Sequence, residues 1–502
     1  MQAVRRATAD TRCGAVGHAA PPGQAPLPGA VGPPRLLRCR LRGPTRTLDP
    51  PGSCPRGSPV TRPLPPARGL AVPASRVGRF ARLGGLATGI AGEAMLQGAR
   101  RLARGERPAL PELILTPANA RRLTDQLARM RGAAMKLGQL MSMDSGDFLP
   151  PELAEILARL RAEAHPMPPK QLKAVLAANW GADWQRRFAR FEVTPLAAAS
   201  IGQVHRAVTR DGRDLAVKIQ YPGVRRSIDS DVDNVAALIR LSGLLPRGLD
   251  LAPMLAEAKS QLHEEADYAC EGGHLARFGA LVGAEAGLRV PALHADLTTR
   301  DVLAMDYVEG VAIESLETAP QAVRDAVVTR LVALMLRELF AFGLMQTDPN
   351  FANYRYDAEG DRVVLLDFGA TREIAPELSA GYRALMRAGL AGEEAQLLAA
   401  AEALGLIGPT LRPEHRAMLL EMSEIAFAPL RRPEPFDVAA SDIALRLRDM
   451  GLEMGAARGL EGIDHVPPMA TLFVQRKFGG IYLLAHRLRA RIDFGPLLAP
   501  WL

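Results

Sequence analysis

The chain has 502 residues, of which 48% are hydrophobic and 23% charged, so it can bury the core of two or three domains or of one large two-lobed domain. The formal charge of +8 arises in residues 1–70, which hold 11 Arg and only two acidic residues, while the rest of the chain is nearly neutral. A basic tail on a neutral body excludes a basic nucleic-acid-binding domain, and we predict no nucleic-acid partner.

Residues 1–70 are rich in Arg, Pro and Gly and are predicted to be a disordered tail. This composition fits a mitochondrial transit peptide. It fits equally well a GC-rich genome, which would favour Arg over Lys throughout a chain that has only six Lys, or an over-extended start site. Cys270 is the only cysteine outside the tail, so neither a disulfide framework nor a zinc site is predicted. No uncharged apolar run is long enough for a predicted membrane-spanning helix.

A helical extension is predicted over residues 71–185. Apolar residues recur at steps of three and four between 117 and 141, and a second helix is indicated at 153–160. Prolines at 166, 168 and 169 are expected to close that second helix.

Residues 191–220 have the pattern of a strand, a hairpin and a second strand, with Asp211-Gly212 as the turn. In the second strand, Lys218 alternates with apolar residues and is predicted to face away from them. These neighbours are Leu215, Val217 and Ile219.

The remainder alternates between long helical stretches and isolated strands. A helical region is predicted at 229–285, and strands at 302–308 and 362–367. A helix over 321–343 separates those two strands, and the pattern from 378 onwards is mostly helical.

Four elements occur in an order that suits phosphoryl transfer. Lys218 lies on a strand, Asp348 and Asn353 have Asp-x-x-x-x-Asn spacing, and Asp367 opens Asp-Phe-Gly after a strand. Between them lies an acid-rich helix with Glu264, Glu265, Asp267 and Glu271. A Lys can hold ATP phosphates, a helix Glu can orient it, an Asp can position or deprotonate the attacking hydroxyl, and Asn with a second Asp can ligate Mg²⁺. Each signal is weak alone, but their order and spacing together predict a Mg-ATP site.

Two features depart from ordinary protein kinases. Where a Gly-rich phosphate loop is expected, the chain has Ala197, Ala198, Ala199 and Ser200, so we expect Ser200 and backbone N–H groups to contact the phosphates. An Ala-Pro-Glu sequence at 375–377 follows Asp-Phe-Gly almost at once, which leaves no room for the usual activation loop. A peptide-docking platform is therefore predicted to be reduced or absent.

Five segments resemble the signature segments of the UbiB/ADCK atypical kinase family: AAMKLGQLMS, AAASIGQVH, EADYACE, MQTDPNFAN and LLDFGATRE. The first carries Lys136 and Gln139 in a Lys-x-Gly-Gln motif that ordinary kinases lack. The resemblance runs from about residue 75 to the C-terminus and is strongest to the coenzyme Q (ubiquinone) biosynthesis subgroup.

The resemblance implies a catalytic role for Lys218, Glu271 and Asp348, with Glu271 as the helix partner of the lysine. It makes Asn353 and Asp367 the metal ligands and the Ala-rich loop the nucleotide-binding loop.

The resemblance also implies a regulatory group. Lys136 and Gln139 would lie on a helix that folds over the active site and meets Glu265 and Asp267, the Glu-x-Asp motif.

The predicted fold is α+β, a two-lobed protein-kinase-like fold with a helical N-terminal extension over the active site. We predict a disordered tail at 1–70, the extension at 71–185, an N-lobe with inserted helices at 186–308 and a C-lobe at 309–502.

The predicted function is that of an atypical kinase or ATPase that binds Mg²⁺ with ATP or ADP and supports ubiquinone biosynthesis. Two alternatives are a nucleotide-switched scaffold without useful turnover and a small-molecule kinase acting on a prenyl or lipid precursor. Expected partners are ATP, the lipid surface of the inner membrane, and ubiquinone-biosynthesis enzymes or lipid precursors, and a homodimer is left open. The expected location is the cytoplasmic side of a bacterial inner membrane, with the mitochondrial matrix face as the alternative.

Overall fold

The computed structural model describes residues 132–134, 136, 166–199, 201–241, 252–283, 287–408, 412–458 and 467–502. The predicted tail, Gln139, Ser200 and most of the extension lie outside these residues. The helices are α1 (Pro169–Trp180), α2 (Val224–Leu241), α3 (Ala252–Glu265), α4 (Tyr268–Val282), α5 (Gln321–Arg337), α6 (Pro376–Ala391), α7 (Glu394–Ala403), α8 (Pro413–Phe427), α9 (Ile443–Arg458), α10 (Met469–Arg487) and α11 (Phe494–Leu498).

The strands are short in most of the chain. They are β1 (Phe188–Phe191), β2 (Ala197–Ala198), β3 (Gly202–Thr209), β4 (Asp214–Gln220), β5 (Leu288–Arg289), β6 (Val302–Asp306), β7 (Val311–Ala312), β8 (Leu344–Gln346), β9 (Tyr354–Asp357), β10 (Arg362–Leu365), β11 (Thr371–Glu373), β12 (Phe436–Asp437) and β13 (Arg491–Ile492). None of the described helices is both long and apolar enough to cross a membrane.

Five strands from the first half of the described chain form one antiparallel sheet. Its order is β1-β3-β4-β6, with β2 added to β3. The predicted hairpin is confirmed, because β3 and β4 pair in register on either side of the turn at Asp211-Gly212. Gly212 has a φ of +91°, a backbone conformation that residues other than Gly rarely adopt.

The two faces of β4 separate packing from chemistry, as the alternation predicted. Leu215, Val217 and Ile219 are buried in a cluster with Trp180 and Trp184. Residues at even positions face the other way, and Ala216 and Lys218 line a cleft. A strand has a side-chain period of two, so the apolar face anchors the strand while Lys218 is presented to the cleft.

Helix α1 begins at Pro169, since a proline in the first turn removes an N–H that has no helical acceptor anyway. The second helix indicated at 153–160, which the prolines at 166, 168 and 169 were expected to close, lies outside the described residues. Helix α1 is joined to the sheet through Trp180, whose Nε1–H donates to the carbonyl of Leu297 at 2.9 Å.

The helical region predicted at 229–285 consists of α2, α3 and α4. Helix α4 begins at an N-cap, because the Asp267 carboxylate accepts from the backbone N–H of Cys270 at 3.3 Å. This cap places Glu271 in the first turn of α4, where its side chain is buried behind β4.

The remaining chain is mostly helical around the buried helix α5, as the pattern predicted. Two pairs of short strands follow α5 in the chain: β8 pairs with β11, and β9 pairs with β10. Sequence patterns missed β5, β7, β8, β9, β11, β12 and β13, because runs of two to four residues carry too little periodicity. We propose that the sheet and the helical part are the two lobes predicted above, with the boundary just after β6.

Gly202 provides a test of how tightly the sheet is packed. A Cβ at this position would lie 2.4 Å from the backbone oxygen of Ile219, so Gly202→Ala must displace main chain. We expect a loss on the order of 1–3 kcal/mol in the free energy of unfolding, measured by chemical denaturation. The control is Gly273→Ala on α4, where a Cβ meets nothing within 4 Å and should stabilise by about 0.5–1 kcal/mol. Equal stability of the two variants would contradict this packing.

Candidate active site

A cleft of about 780 Å³ lies between the sheet and the helical part. Its size suits a nucleotide. Its wall includes nine residues that the sequence singled out: Lys136, Ala197, Ala198, Ala199, Lys218, Glu265, Asp348, Asn353 and Asp367.

Lys218 lies at the centre of an ion-pair network. Its Nζ is 2.8 Å and 2.9 Å from the two carboxylate oxygens of Glu271, and 3.2 Å from Oδ2 of Asp367. The other oxygen of Asp367, Oδ1, accepts from the N–H of Gly369 at 2.9 Å. One ammonium group therefore holds a strand, a helix and the Asp-Phe-Gly segment together.

Two carboxylates compete for this ammonium, and their pKa values diverge. Burial, with the nearby charge of Asp367, raises the pKa of Glu271 to about 7 despite the neighbouring Lys218. Burial also opposes ionisation of Asp367, but Lys218 and the N–H of Gly369 keep the pKa of Asp367 below its usual value. For Lys218 itself, burial is outweighed by the two carboxylates, so its pKa is well above the usual value.

Asp348 is held through both carboxylate oxygens. Nδ2 of Asn353 donates to its Oδ2 at 3.1 Å and to its main-chain oxygen at 3.3 Å. A guanidinium N–H of Arg476 donates to Oδ1 at 3.2 Å. A carboxylate fixed in this way, on the wall of the cleft, suits a group that positions or deprotonates an attacking hydroxyl.

The Ala-rich loop forms strand β2 and the turn after it. Ala197 and Ala198 pair with β3, and the N–H of Ala199 donates to the carbonyl of Gly202 at 2.8 Å. Positive φ angles occur elsewhere in the described chain and not at Ala197, Ala198 or Ala199. Ala fits this loop because the backbone conformation is one that residues with a Cβ adopt readily.

The described part of the extension reaches the cleft. Residues 132–134 and 136 are helical, and the buried Nζ of Lys136 forms an ion pair with Glu265 at the end of α3. Asp267 does not share this contact: it caps α4 and pairs with Arg300 at 3.1 Å. Of the predicted regulatory group, the structure thus brings Lys136 and Glu265 together, while Gln139 lies outside the described residues.

Asn353 and Asp367 offer oxygen ligands that fit Mg²⁺. The amide nitrogen of Asn353 is used for Asp348, so its Oδ1 is the atom left for a metal. Groups of three or more His, Cys, Asp or Glu that could hold a metal do not occur among the residues that the structure describes. This small donor set suits Mg²⁺, which is commonly held by one or two protein oxygens together with substrate phosphates.

Sequence reasoning missed Arg476, which lies 128 residues from Asp348 in the chain. No local pattern marks it, although the adjacent Lys477 is one of only six lysines. Arg372, five residues after Asp367, forms an ion pair with Glu264 at 2.6 Å.

Comparisons with known proteins point to one family. The ABC1 atypical kinase-like domain matches residues 159–401. Atypical kinase COQ8 of Saccharomyces cerevisiae, mitochondrial by its name, is 36% identical over 436 residues, which cover 85% of this chain and 84% of the yeast protein. The mitochondrial atypical kinase COQ8B of Rattus norvegicus is 36% identical over 84% of this chain and 79% of its own length. The chain belongs to the ABC1/UbiB atypical kinase family.

A solved structure is similar to this chain in its fold. Rv3197 of Mycobacterium tuberculosis, determined in complex with erythromycin, matches with a TM-score of 0.53 at 25% identity, over 77% of this chain and 96% of that protein. With the family match, this confirms the predicted α+β kinase-like fold and the predicted family.

The raised pKa of Glu271 predicts a pH dependence of stability. Between its usual 4.5 and about 7, Glu271 keeps a proton in the folded state that it has released in the unfolded state. Stability therefore falls as pH rises through this window. We expect the melting temperature of Glu271→Gln to fall less over this window than that of the wild type.

The control for this experiment is Glu359→Gln, at an exposed position. It should keep the wild-type slope of melting temperature against pH. Parallel slopes for Glu271→Gln and the wild type would contradict the proposed proton on Glu271.

Proposed function

We propose that the protein is an atypical kinase or ATPase that binds Mg²⁺ with ATP or ADP and supports coenzyme Q biosynthesis. The observation that carries this proposal is the ion-pair network of Lys218, Glu271 and Asp367 in one cleft with Asp348 and Asn353. Membership of the ABC1/UbiB family and the relatives named COQ8 support the coenzyme Q role.

Each side chain has a role in this proposal that follows from its contacts. Lys218 binds the α- and β-phosphates, and Glu271 keeps its ammonium directed into the cleft. Asp348 accepts the proton of the attacking water or hydroxyl, and Asn353 fixes the carboxylate that does so. The Ala-rich loop covers the phosphates from the sheet side, with Ser200 and backbone N–H groups other than that of Ala199 as the contacts we propose.

Asn353 and Asp367 would hold Mg²⁺ through oxygen atoms. When bound, the ion neutralises charge that develops on the phosphate oxygens. Lys218 and Asp367 already form an ion pair across the site, so the nucleotide enters a site in which both groups are in place.

A lipid or prenyl precursor is the acceptor we favour if a phosphoryl group is transferred. Only residues 368–375 separate Asp367 from helix α6, which leaves little chain for a peptide-docking segment. The short β11 occupies part of this stretch by pairing with β8.

A nucleotide-switched scaffold is the second candidate. The contact between Lys136 and Glu265 places part of the extension against the cleft. A bound nucleotide could change that contact without chemical turnover.

We propose the matrix face of the mitochondrial inner membrane as the site of action, with lipid surface and biosynthetic enzymes as partners. The relatives named above are mitochondrial by name, which supports this placement over the bacterial one.

Phosphate release from ATP by the full chain tests the proposal. We expect turnover that needs Mg²⁺ and increases with anionic lipid vesicles. Asp348→Asn should lower turnover by about 10²-fold or more while nucleotide still binds, because the lost group acts on the attacking hydroxyl. Asp183→Asn, at an exposed site on the sheet side, should match the wild type.

The outcomes separate the candidates. Nucleotide binding with neither phosphate release nor transfer of phosphate to a lipid precursor, with or without vesicles, would contradict the enzyme and favour the scaffold. Transfer of labelled phosphate to a purified lipid precursor would identify the small-molecule kinase. Equal turnover in wild type and Asp348→Asn would contradict the role given to Asp348.

A further inference from the structure

Helix α10 contacts the loop that carries Asp348 and Asn353 at three of its residues. The first contact is Arg476, whose guanidinium N–H donates to Oδ1 of Asp348 at 3.2 Å. Because Asn353 already holds Oδ2, the carboxylate is fixed from two directions. Of these two contacts to the Asp348 carboxylate, that of Arg476 comes from outside the loop.

The second contact is Lys477, which is almost fully buried at 1% exposure. Its Nζ donates to Oε1 of Gln346 at 3.1 Å and to the hydroxyl of Tyr354 at 3.0 Å. Gln346 ends β8 before the loop, and Tyr354 begins β9 after it. One ammonium therefore joins both ends of the loop, and Glu338 at 3.4 Å balances its charge.

The third contact is steric. A Cβ on Gly480 would lie 2.0 Å from Cβ of Pro349, the residue after Asp348. Proline has a fixed φ, so pushing its ring moves the adjoining backbone. At the neighbouring Gly479 a Cβ would meet nothing within 4 Å.

We propose that α10 is the positioning element of the catalytic loop, with Arg476 and Gly480 as positioning residues for Asp348. This inference rests on the proposed function for the role of Asp348, but its structural part does not. Lys477 holds the two ends of the loop at a fixed separation. Gly480 lets Pro349 pack directly on the helix, and Arg476 then sets the direction of the carboxylate.

The matched pair Gly480→Ala and Gly479→Ala tests this inference in the full chain. Both changes replace Gly by a better helix former in α10, but only one crowds the loop. The first measurement is hydrogen–deuterium exchange of residues 345–354. In this segment the amides of Thr347 and Asn353 are bonded to Ala370 and Asn350. We expect faster exchange here in Gly480→Ala and wild-type exchange in Gly479→Ala.

The second measurement separates turnover from binding. Gly480→Ala should lower phosphate release by about tenfold or more, because a small displacement of the reacting group is costly. Its affinity for ADP in the absence of Mg²⁺ should stay within about threefold of wild type, since Lys218 and Glu271 are untouched. Gly479→Ala should match the wild type in both.

Arg476 is tested by Arg476→Gln and Arg476→Lys. The first should lose turnover at unchanged Mg-ATP affinity, and the second should recover part of it, because a cation again faces Asp348. If Gly480→Ala does not fold, as shown by the absence of a cooperative melt, the two Arg476 variants test the positioning role in its place. If the wild type has no turnover, the proposed function fails, and the exchange measurement alone tests the positioning role. Gly480→Ala and Gly479→Ala with equal exchange and equal turnover would overturn the inference.

Discussion

The buried ammonium of Lys218 is the interaction on which the geometry of the cleft depends. It joins β4, helix α4 through Glu271, and the segment after β10 through Asp367. A buried charge without a partner is costly, and breaking such a pair costs about 3–5 kcal/mol. Moving Glu271 or Asp367 away from Lys218 therefore costs the free energy of the ion pair in addition to any loss of local packing. The apolar side of β4, packed on α1, provides the fixed base from which Lys218 projects.

Two other buried lysines also link separate elements of the fold. Lys136 links the extension to α3 through Glu265, and Lys477 links α10 to β8 and β9 beside Glu338. The chain uses Arg as its ordinary cation and has only six Lys, yet three of these six are buried. The ammonium is a compact charge with three donors, whereas the guanidinium is a larger planar group. Because Lys is scarce in this chain, its presence at position 477 was a sequence signal for a buried linking residue, which local patterns did not provide.

The sequence predicted best what depends on local order. Alternation in β4 correctly placed Lys218 on the opposite face from its apolar neighbours, because the strand period is fixed by the backbone. Contacts between distant segments could not be read in this way. Arg476 and Asp348 are 128 residues apart, and their meeting is decided by how α10 packs. The sequence did not indicate that Pro169 opens α1, because proline is compatible with both the end of one helix and the first turn of the next. The roles of Glu271 and Asp348 came from the family resemblance, and their geometry from the structure.

We propose that Lys218 and Asp367 form one site for a nucleotide with Mg²⁺. Calorimetric titration of ATP into the full chain, with Mg²⁺ and with a chelator, tests this site when Asp367→Asn is measured beside the wild type. We expect binding by the wild type that weakens by about tenfold or more without Mg²⁺, and weak binding by Asp367→Asn in both conditions. Tight binding that is independent of Mg²⁺ and equal in the two proteins would contradict it.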